Sequence, residues 1–87
     1  MRFLYVVGVP TLSTDFIDGL SAIPHIWPQT LNRRELMQSD AIIALPSWLN
    51  SDHLQRQVDL AIDYGKRIFY PKTAGDLTAV KEWAIAE

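Results

Sequence analysis

The sequence predicts an α/β fold, a small doubly wound parallel sheet of about four strands with helices on both faces. Three observations carry that expectation. Residues 3–7 and 41–45 are continuous apolar runs, as in strands covered on both sides, rather than the alternating runs of a half-exposed sheet. Each run is soon followed by a proline, and a shorter third run, residues 67–70, stops at Pro71. Between the second and third runs lies a clear amphipathic helix, which makes residues 41–70 a β–α–β unit.

Taken in order, the first strand is Phe3, Leu4, Tyr5, Val6 and Val7, closed by Gly8 and Pro10. Ser13 or Thr14 is placed to cap a short helix running to Leu20, with Phe16, Ile17 and Leu20 inward and Gly19 weakening it. His25, Ile26 and Trp27, between Pro24 and Pro28, read as a brief strand. Thr30 is placed to cap a helix over residues 31–38 that buries Leu31, Leu36 and Met37. In the main helix Leu54, Val58, Ala61 and Ile62 recur at helical spacing, Ser51 or Asp52 caps the start and Gly65 stops the end. Asp76 is placed to cap a last helix over 77–86, burying Leu77, Val80 and Ala84 with Trp83 beside them. Right-handed crossovers then favour the strand order 2-1-3-4, that of a flavodoxin-like sheet.

The 87 residues amount to one domain, 1–87, with no linker or repeat. A domain this small buries only roughly 60–65 % of the surface of its unfolded chain, so a homodimer or larger homo-oligomer is expected. Eight basic against ten acidic residues, without a charged block, argue against a nucleic-acid polymer as partner. The chain has no cysteine, which excludes thiol catalysis and disulfides, and its two histidines, His25 and His53, lie far apart, which argues against a metal site. No cofactor is expected. No stretch approaches the roughly 20 apolar residues of a membrane span, and the opening run lacks the cleavage site of a signal peptide. The expected location is the cytoplasm.

The predicted topology also places a site. Ligands of open α/β sheets lie beyond the C-terminal strand ends where the winding reverses, here between the first and third strands. The loops meeting there contain Gly8, Val9 and Pro10 on one side and Pro46, Ser47, Trp48, Asn50 and Ser51 on the other. The glycines form neither a dinucleotide fingerprint nor a phosphate loop. Trp48 is a stacking candidate, or else packs on its own helix or another subunit. Ser51 is a helix cap, a ligand donor or both.

These residues resemble a family. Tyr5-Val6-Val7-Gly8-Val9-Pro10 is similar to the Tyr-Ile-Ser-Gly-Pro opening of the nucleoside 2-deoxyribosyltransferase-like proteins. Ser39-Asp40-Ala41-Ile42-Ile43-Ala44-Leu45-Pro46-Ser47-Trp48-Leu49-Asn50-Ser51 resembles the Asp-Ala-Ile-x-x-Leu-Pro-Gly-Trp-x-x-Ser segment of their small, often phage-borne branch. Ala61 and Gly65-Lys66-Arg67-Ile68 continue the likeness, which is weak over 11–38 and stronger over 39–70. Active members carry Ser-x-Gly-x-x-x-Glu on the following helix, the glutamate attacking the anomeric carbon. Ser51 matches the serine, but His53 stands at the glycine and Gln57 at the glutamate. A neutral amide neither attacks as an anion nor offsets oxocarbenium charge. The resemblance therefore implies binding of a nucleoside, nucleotide or ADP-ribose-like molecule without catalysis, with His53 and Gln57 lining the site. The alternatives are a hydrolase or transferase that uses another acid, Asp15, Asp18 or Asp52, and an interaction module with a vestigial cleft. Asp52 in the first turn competes with a phosphate for the helix N-terminus, which favours a neutral nucleoside or phosphates held elsewhere.

Overall fold

The computed structural model describes residues 2–8, 14–28, 30–73 and 75–86, with the backbone only of Phe16 and Ser47. Four strands, β1 (Leu4–Val7), β2 (His25–Ile26), β3 (Ala41–Ala44) and β4 (Arg67–Phe69), form one sheet in the order β2-β1-β3-β4. Every pairing is parallel, with Leu4 opposite His25 and Ala41, and Ala41 opposite Arg67. This is the small doubly wound, flavodoxin-like order. The central strands earn their place by composition: all eight residues of β1 and β3 are buried. A continuous apolar run suits only a strand with cover on both faces.

Helices α1 (Thr14–Ser21) and α4 (Asp76–Ile85) cover one face, and α2 (Arg33–Gln38) and α3 (Asp52–Asp63) cover the other. On the first face Leu4, Val6, Ile43 and Leu45 meet Leu20, Leu77, Val80 and Ala84. On the second, Tyr5, Val7, Ile42 and Ala44 meet Leu36, Leu54, Val58 and Ala61. Successive strand residues point to opposite faces, so β1 and β3 feed both cores alternately.

Several expected inward residues lie outside. Ile62 is 56 % exposed, while Gln57 is buried in its stead. On a wheel of about 100° per residue, Leu54, Gln57, Val58 and Ala61 fall within one arc of about 100°, and Ile62 lies beyond its edge. Ile17 and Met37 are also exposed, and on α2 the inward position is held by Leu36. The caps differ as well. Asn32, not Thr30, caps α2, its Oδ1 accepting from the Glu35 N–H at 3.1 Å. Ser51 occupies the N-cap position of α3, but its side chain makes no cap bond. Asp76 opens α4 and turns its Oδ2 backward, accepting from Lys72 N–H at 2.8 Å and Thr73 N–H at 3.1 Å.

The N-terminal edge of the sheet is laced shut. Asp40 donates its N–H to Phe3 O and accepts from Phe3 N–H through Oδ2, both at 2.7 Å. Arg2 N–H donates to Ala84 O at 2.8 Å, its guanidinium donates to the carbonyls of Trp83 and Ala86, and it lies 4.5 Å over the Trp83 ring. Among the described residues no helix is long and apolar enough to cross a membrane.

Candidate functional site

The C-terminal edge is built differently. Gly8 has φ +151°, and a Cβ there would meet Leu45 Cβ at 2.6 Å. Only glycine lets the chain leave β1 while the β3 end passes this close. The Gly8 carbonyl accepts from Trp27 Nε1–H at 3.1 Å, tying the ends of β1 and β2 together. Val9 and Pro10, expected on the same loop, lie outside the described residues.

Beyond β3 the chain makes a 3-10 helix over Pro46–Asn50, where the sequence suggested only a loop. Pro46 at its start has no N–H to lose, and Trp48 N–H donates to Leu45 O at 2.9 Å. Gln55 then reaches back from α3 and donates through Nε2 to Leu49 O at 2.8 Å, fixing the turn to the helix. Pro46 and Asn50 are exposed, Ser51 is half-buried, and the Ser47 side chain is not described. Trp48 is half-buried against the α3-side core, its ring 5.6 Å from that of Tyr70 at 47°. The turn thus presents the indole sideways, toward β4.

Gln57 is 4 % exposed and sits in a chain of hydrogen bonds. Asn32 N–H donates to Tyr5 Oη at 3.1 Å, Tyr5 O–H donates to Gln57 Oε1 at 3.3 Å, and Gln57 Nε2 lies 3.2 Å from His53 Nε2. With Oε1 accepting from Tyr5, the amide N–H is the donor to His53, whose Nε2 is then the bare nitrogen. Burial raises the Tyr5 pKa above its usual value of 10.0, the Asn32 N–H opposes that shift, and the Glu35 charge adds to it. The structure therefore joins His53 and Gln57, two of the expected site residues, through the buried Tyr5. His53 itself is exposed at the surface end of the chain.

Beside the turn lies a pocket of about 240 Å³ lined by Ala44, Pro46, Trp48, Leu49, Tyr70, Pro71 and Lys72. Its cause is legible in the ladder: β1 and β3 pair as far as Val7–Ala44, whereas β3 and β4 pair only to Ile43–Phe69. Pro71 has no N–H with which to extend the pairing, so the two chains diverge and leave a gap. The pocket is on the β4 side of the turn, next to the reversal point and not on it. Tyr70, Pro71 and Lys72 are wall residues that the sequence reading passed over; the one available signal was Pro71, which marks a third strand end at the same edge. Asp15, Asp18 and Asp52 are all exposed, the first two on α1, which covers the other face of the sheet. Among the described residues no three His, Cys, Asp or Glu side chains gather as metal ligands. No protein-family model, curated protein or solved structure matches this chain.

Proposed function

We propose that this domain binds a nucleoside-type small molecule at the C-terminal edge of its sheet and does not cleave it. The observation that carries the reading is the state of Gln57. At the position where the resemblance to the nucleoside 2-deoxyribosyltransferase-like family puts a nucleophilic carboxylate stands an amide, buried and hydrogen-bonded at both ends by Tyr5 and His53. Such a group supplies no anion for attack at an anomeric carbon. The C-terminal edge offers an indole, a turn opened by Pro46 and a pocket. Capture without turnover fits that combination.

The test is a pair of assays on the same preparation. Adenosine, thymidine and their 5′-monophosphates are screened for a rise in melting temperature, and long incubations are analysed for free base. A rise with no base release is expected, since a ligand that binds the folded state stabilises it by mass action. Base release that survives Gln57→Ala would make the protein an enzyme with another acid. A melting temperature indifferent to all four would leave an interaction module.

A further inference from the structure

We infer that the pocket between the 46–50 turn and residues 70–72 is a binding site for one flat, uncharged nitrogen-heteroaromatic ring of nucleobase size. Its size sets the first limit. About 240 Å³ falls below the roughly 300–1,000 Å³ of pockets for drug-sized ligands, so a single ring system fits and a dinucleotide does not.

The aromatic geometry sets the second. A ring sandwiched between parallel rings needs them about 7 Å apart, twice the van der Waals spacing. Trp48 and Tyr70 stand at 5.6 Å and 47°, an open angle instead of a slot. A flat guest lies on one ring and meets the other at its edge, the two arrangements that aromatic quadrupoles favour. Pro46 and Pro71 each fix φ at one point of the wall and so reduce its backbone freedom.

Charge sets the third. Lys72 lines the pocket, but the Asp76 carboxylate already accepts from the backbone N–H groups of Lys72 and Thr73. The two successive donors that would welcome a phosphate are filled by the protein's own anion. Asp52 places a further carboxylate in the first turn of α3, the helix that follows the turn. What remains is one ammonium as a hydrogen-bond donor to a ring nitrogen or carbonyl, with a carboxylate close behind it. That is a polar handle for a neutral ring. The pocket stands on its own geometry; the nucleoside reading adds only that the ring belongs to a nucleobase.

The test uses the intact protein and the indole N–H signals of its three tryptophans in a proton–nitrogen correlation spectrum. Adenine, adenosine, AMP and indole are titrated in turn. Adenine and adenosine should move the Trp48 signal saturably and leave in place that of Trp83, which packs on the other face of the sheet. AMP should bind more weakly than adenosine, and Asp76→Asn should narrow the gap. Tyr70→Ala should weaken adenine by at least about fivefold, while Tyr70→Phe keeps most of the affinity. Adenine binding unchanged by Tyr70→Ala, or no saturable Trp48 response to adenine or indole, overturns the site. Adenosine binding that ignores Tyr70 sinks this pocket and spares the nucleoside reading. Adenine bound through Tyr70 with no response to adenosine does the reverse.

Discussion

On the face covered by α1 and α4, Leu4, Val6, Ala41, Ile43 and Leu45 pack on Leu20, Leu77, Val80 and Ala84, a core of hydrocarbon side chains. On the face covered by α2 and α3, the same two strands contribute Tyr5, and α3 lowers Gln57 onto it. The two buried polar residues among those described, Ser39 just past the end of α2 and Gln57 on α3, both lie with this second face. Apolar contact is non-directional, and a helix resting on it tolerates small slides and rotations. A hydrogen bond is directional. One rotation of α3 puts Gln57 Oε1 over the Tyr5 hydroxyl, so the second face holds the helix behind the site more tightly than burial alone would.

That contrast is open to measurement. The largest effect belongs to the hydrocarbon face, where Ile43→Ala should cost about 2–5 kcal/mol in urea unfolding. Domains carry only about 5–15 kcal/mol in total, so this variant should sit close to its transition at room temperature. A cost below about 1 kcal/mol would mean that this core relaxes freely.

The next effect sharpens the difference. Gln57→Leu leaves the Tyr5 O–H without its acceptor, while Asn32 N–H still donates to the hydroxyl oxygen, and should cost about 1–3 kcal/mol. Tyr5→Phe alone strands the Gln57 carbonyl oxygen instead. The double variant replaces both partners with apolar groups and should be more stable than the sum of the two losses predicts, by about 0.5–3 kcal/mol. Strict additivity would show that the pair is adjacent without being coupled.

Smaller effects appear in pH. The folded-state pKa of Tyr5 is raised, chiefly by burial. Between the unfolded value of about 10 and the folded one, the unfolded chain releases the phenolic proton while the native state keeps it. Stability is thus intact below that window and falls as pH rises through it, and Tyr5→Phe should flatten this alkaline limb. Asp76 gives the opposite and least effect. The N–H groups of Lys72 and, secondarily, Thr73 hold its carboxyl below the usual range, so its contribution is present above the ordinary carboxylate pKa and is lost as pH falls through the folded one. Asp76→Asn should remove a shallow acid slope at the start of α4; an unchanged slope would assign it to other carboxylates.

Much of the architecture was legible because strand burial writes itself as uninterrupted apolar sequence. Residues 3–7 and 41–45 announced the two central strands, and the order 2-1-3-4 followed from their connections. Helix faces were less legible. In α3 the eye joins Ile62 to the stripe because it is apolar, yet the buried arc passes through Gln57, and a polar residue inside an apolar arc gives no sign of its burial until its partner is known. That partner, Tyr5, is 52 residues away in sequence. The caps misled for a related reason: Ser51 and Asp76 have the right chemistry at the right places, but side-chain rotation, which sequence does not encode locally, sends the Asp76 carboxylate to the loop before its helix. The switch-point residues Gly8, Pro46 and Trp48 do gather at one edge. The pocket beside them needed the early end of the β3–β4 ladder, a matter of register.

The clasp of Arg2 on the last helix carries a consequence in time. Its guanidinium reaches carbonyls 81 and 84 residues further along the chain. Every described element that covers β1 lies after it in the chain, α3 and α4 last among them. At about 5–20 residues per second, the ribosome leaves that apolar segment bare for several seconds. Loop closure over such separations also comes late and in concert with the rest of the fold. Through that interval a nascent β1 is an adhesive edge for other copies of itself. A positive charge at its border is the usual guard against such pairing. In the folded domain that charge is spent on the clasp to α4.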